Sequence, residues 1–131
     1  MRGVLAVDTN VVVRFLTADE PVQAGRARAI FEREAVLLLK TVILETEWVL
    51  RRLYHFDSKH IADAFRALIA LPSVECEDLN AVAKAIDWAL NGLDFADALH
   101  LASAIPAQRF ATFNETLSKR AAKMDIRVIR A

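Results

Sequence analysis

The sequence predicts an α/β fold with a parallel sheet covered by helices on both faces. Three observations carry this expectation. The strand candidates "GVLAVD" and "AVLLLK" are continuous apolar runs rather than alternating ones, the pattern of strands buried on both faces. They alternate with longer segments of helical spacing, which is how parallel strands are joined. A chain of 131 residues, 55% of them apolar, suits one domain over residues 1–131 with a single buried core.

Taken in order, "GVLAVD" reads as a short buried strand that meets no polar residue until Asp8. "NVVVRFL" is apolar with Arg14 interrupting, and suits a helical turn after that strand. "TADEP" is a loop, and Pro21 fits the first turn of the next helix, "PVQAGRARAIFERE", with Ile30 and Phe31 inward. "AVLLLK" is the second strand. "TVILETEWVLRRLYHF" has helical spacing through Ile43, Val49 or Leu50, and Leu53 or Tyr54. "DSKHIADAFRALIALP" opens on Asp57 or Ser58 as N-cap and stops at Pro72. After "VEC", a short strand, "NAVAKAIDWALNG" is a helix with Asn80 as N-cap and Gly92 just past its end. "DFADALHLASAI" is a helix ended by Pro106; "RFATF" is a strand, "ETLSKRAAKM" a helix and "IRVI" the last strand.

Lys+Arg and Asp+Glu both number 17, so global charge does not advertise a nucleic-acid binder. The distribution is uneven. Residues 75–97 carry a net −5, from Glu75, Glu77, Asp78, Asp87, Asp94 and Asp97 against Lys84. Residues 109–131 carry a net +4. An acidic site beside a basic rim fits a metal enzyme acting on a phosphodiester; plain solvated surface fits as well. The one cysteine, Cys76, excludes an internal disulfide and a cysteine-based zinc site. No signal-like opening and no bilayer-length apolar run are seen, so a cytoplasmic location is expected.

The chemistry is carried by acids placed among apolar residues. Asp8 follows "VLAV", where it either caps a helix or stands at the carboxyl end of a strand, the usual ligand position in parallel α/β folds. In "VILETEWVL", Glu45 and Glu47 point about 200° apart on a helix. Trp48 and Val49 lie on the Glu45 side, which makes Glu45 the acid at the buried edge and Glu47 the solvated one. In "DFADALH", Asp94 and Asp97 share a face three residues apart. Asp94 is placed to cap the helix, and His100 could extend the row. Carboxylates without thiols suit a hard cation, Mg²⁺ or Mn²⁺. Such ions bind phosphate oxygens and activate water.

Four blocks, "VDTNVVVRFL", "VILETEWVLRRLY", "DFADALHLASA" and "ATFNETLSKRA", resemble in content and order the PIN-domain nucleases, and within them the VapC toxin branch of type II toxin–antitoxin systems. The resemblance implies a PIN-like α/β/α sandwich with a central parallel sheet. It also implies a Mg²⁺- or Mn²⁺-dependent endoribonuclease, homodimerisation, and inhibition by a VapB-type antitoxin. The family's acids fall on Asp8, Glu45 and Asp97, which become the catalytic and metal-holding set. The fourth catalytic position, usually Asp, falls on Asn114 and removes one negative charge. Thr9, Asn10 and Asp94 become supporting residues, and Arg14, Lys119, Arg120 and Lys123 candidates for the RNA backbone.

Two rival readings remain at this level. A PIN-like RNA- or protein-binding module with weak or no nuclease activity is favoured by Asn114. A doubly wound phosphatase would place a second acid two residues after Asp8, where Asn10 stands.

Overall fold

Parallel strands cannot be joined by a tight turn, so helices separate every strand pair in this chain. In the computed structural model, which describes residues 3–124 and 126–131 with Lys123 in backbone only, the chain forms two units, residues 1–79 and 80–131. Among the described residues the fold is mixed α/β, with seven α-helices and five strands. No described helix is long and apolar enough to cross a membrane.

The first unit runs β1 (Leu5–Ala6), α1 (Thr9–Thr17), α2 (Pro21–Arg33), β2 (Val36–Leu38), α3 (Lys40–Arg52), α4 (Ser58–Ile69) and β3 (Val74–Cys76). The strands form one parallel sheet in the order β1-β2-β3, with Leu5 opposite Val36 and Leu38 opposite Cys76. The central strand is the buried one: Val36 and Leu38 have no exposed surface. The edge strand β1 departs from the expected buried run. Val4 and Leu5, at the edge of this three-stranded sheet, are 49% and 40% exposed, and burial resumes at Val7.

Helix α1 is a full nine-residue helix rather than a single turn. Val12 and Val13 are core, while Arg14 sits half-buried at the helix flank and interrupts nothing. Phe15 of α1 stacks on Phe31 of α2 with ring centroids 4.2 Å apart, worth about 1 kcal/mol beyond simple burial. Pro21 is the first residue of α2, and Glu20 caps it through Val22 N and Gln23 N. Phe31 is inward as expected; Ile30 is only half-buried. Asp57 caps α4 by accepting from His60 N at 2.8 Å.

The face of α3 is rotated from the sequence expectation. Its buried residues are Val42, Ile43, Thr46, Glu47 and Leu50, whereas Glu45 and Trp48 are exposed. Glu47, expected on the solvated side, is 7% exposed. Arg51, one turn on, makes this tolerable: its Nε and Nη2 donate to the two Glu47 oxygens at 2.9 and 3.4 Å, so the carboxylate is not buried unpaired.

In the second unit, α5 (Leu79–Leu90) and α6 (Phe95–Ser103) lead to β4 (Arg109–Thr112), α7 (Glu115–Arg120) and β5 (Arg127–Arg130). β4 and β5 pair in parallel, Arg109 opposite Arg127. Val82, Ala85, Ala98 and Leu101 are fully buried in this unit. Helix α5 starts at Leu79, so Asn80 lies within its first turn rather than capping it; Asp78, in the left-handed region at φ 53°, makes the entry. Gly92 terminates α5 as expected. Leu93 N donates to Trp88 O and Gly92 N to Ala89 O, with Gly92 at φ +102°, a Schellman ending. The Arg120 guanidinium donates to the Gly92 carbonyl, and a Cβ on Gly92 would lie 2.7 Å from Arg120 Nη1. A 3₁₀ turn at Ile105–Ala107 holds Pro106 beyond the end of α6.

Thr46 has no exposed surface, and among the described residues its hydroxyl has no hydrogen-bond partner. Thr46→Val keeps the shape and removes an unpaired polar group, and should raise the unfolding free energy by about 1 kcal/mol in urea titration. A loss of stability instead would mean that the hydroxyl is paired in solution.

Candidate active site

The end of β1 delivers the first acid. After buried Val7, Asp8 adopts extended backbone at φ −84° and ψ 166° and caps α1, its Oδ1 accepting from Thr9 N at 2.8 Å. Both readings of Asp8 therefore hold, strand end and helix cap. Its Oδ2 makes no hydrogen bond among the described residues.

Thr9 is 7% exposed. Its hydroxyl donates a hydrogen bond to Glu45 Oε1, tying α1 to α3. Glu45 Oε2 has no partner among the described residues. Asp8, Thr9, Asn10 and Glu45 line one open cleft of about 390 Å³, so the first unit gathers two acids, each with one oxygen unused by the protein. Two carboxylates, a hydroxyl and an amide form an all-oxygen-capable set with no thiol, the chemistry a hard divalent cation takes. The donor set thus fits such an ion.

Arg14 and Tyr54 also line this cleft. Arg14 Nε donates to Gln23 Oε1 at 2.8 Å, and Nη1 to Tyr54 Oη at 3.1 Å with Asp19 at 3.4 Å. Tyr54 Oη donates to Asp19 Oδ2 at 2.6 Å, and Thr17 to Asp19 Oδ1 at 2.7 Å. These two hydroxyls, with Arg14 adding charge, hold the Asp19 carboxyl below its ordinary range. Tyr54, Asp19 and Gln23 were not visible as site residues in the sequence. They are brought together from three separate segments, and no local spacing signals that.

The second unit holds the remaining candidates. Asp94 caps α6, accepting from Asp97 N at 3.1 Å. Asp97 is half-buried in the first turn, and its carboxyl is pushed up by burial first and by the Asp94 charge second, with His100 opposing. Asn114 caps α7, its Oδ1 accepting from Leu117 N at 3.0 Å. Lys119 is exposed. Arg120 donates to the Gly92 carbonyl, and the Lys123 side chain lies outside the described residues. Among the described residues no three His, Cys, Asp or Glu converge as a metal-holding group, while Asp8 and Glu45 share a cleft.

The raised Asp97 carboxyl has a pH consequence. In the window between its ordinary value and its higher folded value, the folded chain binds more protons than the unfolded one, so stability falls as pH rises through that window. The α6 N-terminus favours the charge, but burial and Asp94 prevail, since the net shift is upward. In EDTA, Asp97→Asn should raise Tm at neutral pH, and the gain should vanish near pH 3, where the wild-type carboxyl is itself neutral. A lower Tm at neutral pH would show that the helix N-terminus dominates.

Comparison with known families finds the PIN domain over residues 5–123. No curated protein matches the chain at a significant level. The PIN domain is generally a nuclease fold, and its nucleases typically use divalent metals. The match takes in both units and nearly all of the sequence, together with the strand-end Asp8 and the α6 acids, and the chain belongs to the PIN domain family.

Proposed function

We propose that this chain is a Mg²⁺- or Mn²⁺-dependent endoribonuclease of the VapC toxin type, hydrolysing RNA phosphodiester bonds. The observation that carries it is the cleft in which Asp8 and Glu45 each keep one carboxylate oxygen unused while Thr9 fixes the orientation of Glu45. Asp97 is the third acid of the proposed set, and the residues 1–131 act as one PIN domain. A divalent cation, when bound, supplies charge neutralisation at phosphate oxygens and lowers the pKa of water.

The chain's own contribution is orientation and charge. Asp8 is anchored by Thr9 N, so its free oxygen is held rather than freely rotating. The Thr9 hydroxyl plays the same part for Glu45, the kind of outer support whose loss typically lowers affinity or activity 10- to 100-fold. Burial first and the Asp94 charge second push the Asp97 carboxyl up; the second of these, a neighbouring negative charge, also favours a cation there. Lys119 is exposed and free to meet the RNA backbone, whereas Arg120 is partly engaged at Gly92. The exposed side chains of Trp48, Leu53 and Phe113 offer apolar surface for a homodimer partner or a VapB-type antitoxin. The location proposed is cytoplasmic.

A second reading, a PIN-like binding module with little nuclease activity, is favoured by Asn114. Its amide caps α7 and adds no charge where the family usually has an acid. Cleavage of RNA with and without Mn²⁺ separates the two readings. Asp8→Asn preserves the cap, since Asn and Asp serve equally there, so the fold should survive. Cleavage should fall more than about 100-fold, beyond what loss of a supporting group causes. Cleavage retained in Asp8→Asn would sink the assignment.

Asn114→Asp also preserves its cap. If position 114 faces the ion, calorimetric titration should show tighter Mn²⁺ binding, because charge count tunes hard-cation affinity. Unchanged affinity would remove Asn114 from the site.

A further inference from the structure

Arg14 stands between two cavities of the first unit. One is the cleft of about 390 Å³ that holds Asp8 and Glu45. The other, about 270 Å³, lies between α1 and α2. Asn10 and Arg14 line both. The second cavity adds Gln23 and Arg26 at its polar side and Ala27 and Ile30 at its apolar side.

The charges differ between the two. The first cavity carries two carboxylates. The second carries two guanidiniums and no acid. Arg14 is fixed in place by Gln23, Tyr54 and Asp19 through Nε and Nη1, which leaves its Nη2 without a partner among the described residues. Arg26 is exposed, and no described residue pairs with it. A clamped cation with an unused donor edge beside a second unpaired cation is an arrangement for a multivalent oxyanion. Ile30, one helical turn on from Arg26 and half-buried, gives the cavity an apolar flank that a sugar can lie against. The cavity is near the lower size limit of small-ligand pockets, about 300 Å³, which fits a nucleotide fragment better than a long side-chain array.

We propose that this second cavity is the subsite for the nucleotide next to the cleaved bond, its phosphate held by Arg14 and Arg26 and its sugar lying against Ile30. The proposal rests on the reading of Asp8 and Glu45 as the cleavage end. It adds a direction to the strand's path: along α1, from the acids past Arg14 to Arg26. Gln23, Tyr54 and Asp19 are then positioning residues, which act through Arg14.

The test measures binding apart from cleavage. A fluorescein-labelled single-stranded RNA of about eight nucleotides is titrated with the full chain in EDTA across a salt series. Arg26→Ala should weaken binding several-fold and reduce the slope of log K against log salt by about 0.7, the value for one phosphate contact on a single strand. Arg28→Ala, about 200° away around α2, removes the same charge and should leave the slope unchanged. Equal slopes for wild type and Arg26→Ala would overturn the subsite and leave the cavity to a protein partner. No RNA binding by the wild type at low salt would overturn it as well. Asp8→Asn, run alongside, should bind RNA with the wild-type slope while failing to cleave. Cleavage by Asp8→Asn with the Arg26 effect intact overturns the nuclease reading, and loss of the Arg26 effect with cleavage still dependent on Asp8 overturns the subsite alone.

Discussion

One carboxylate oxygen holds the candidate site in register. Asp8 ends the apolar run of β1 and starts α1 in a single residue, with Oδ1 spent on the Thr9 amide. That bond fixes where α1 begins, and so fixes the direction of the buried Thr9 hydroxyl that holds Glu45. It also decides which α1 residues line the cleft, Asn10 within the first turn and Arg14 four residues further on. Asn could replace the cap without harm to the helix, but only a carboxylate leaves a charged second oxygen in the cleft. The strand end, the cap and the charge are one requirement met by one residue type.

Electrostatics divides the acids into two kinds. Asp19 is exposed and surrounded by donors from Tyr54, Thr17 and Arg14, so its charge is satisfied internally. Asp97 has the opposite environment, with burial and Asp94 both working against its charge. A carboxyl in the second situation takes up a proton more readily than a free one. Cys76 belongs with neither. Its thiol is pushed up to about 11 by burial first and by the charges of Asp78 and Glu77 next, so it stays protonated and poorly nucleophilic at neutral pH.

Features written in local sequence were legible. Pro21 at the start of α2, Asp57 and Asp94 as caps, and Gly92 past α5 follow from local backbone chemistry that needs no distant partner. The face of α3 did not follow. Its apolar positions support two rotations, and the choice was made by Arg51, which lets Glu47 go inward and leaves Trp48 exposed. The burial of β1 was misjudged for a related reason: an apolar run tells what a strand could bury, and its place at a sheet edge tells what it does. At the site, Asp8 was legible as an acid ending an apolar run, whereas the face argument for Glu45 did not hold: Glu45 is exposed, and it is the Thr9 hydroxyl from α1 that ties it to the cleft it shares with Asp8. The clamp around Arg14 was illegible, since its members lie up to 40 residues apart.

The end of α5 is sensitive to change on one side only. Position 92 is closed to other residues by its backbone angle, φ +102°. The Arg120 guanidinium also lies 2.7 Å from where a Cβ would sit, but it is the far end of a long, flexible side chain and can swing away. Both residues are exposed, so water can take the arginine's place on the Gly92 carbonyl. The arginine is therefore dispensable to the turn, and the glycine is not.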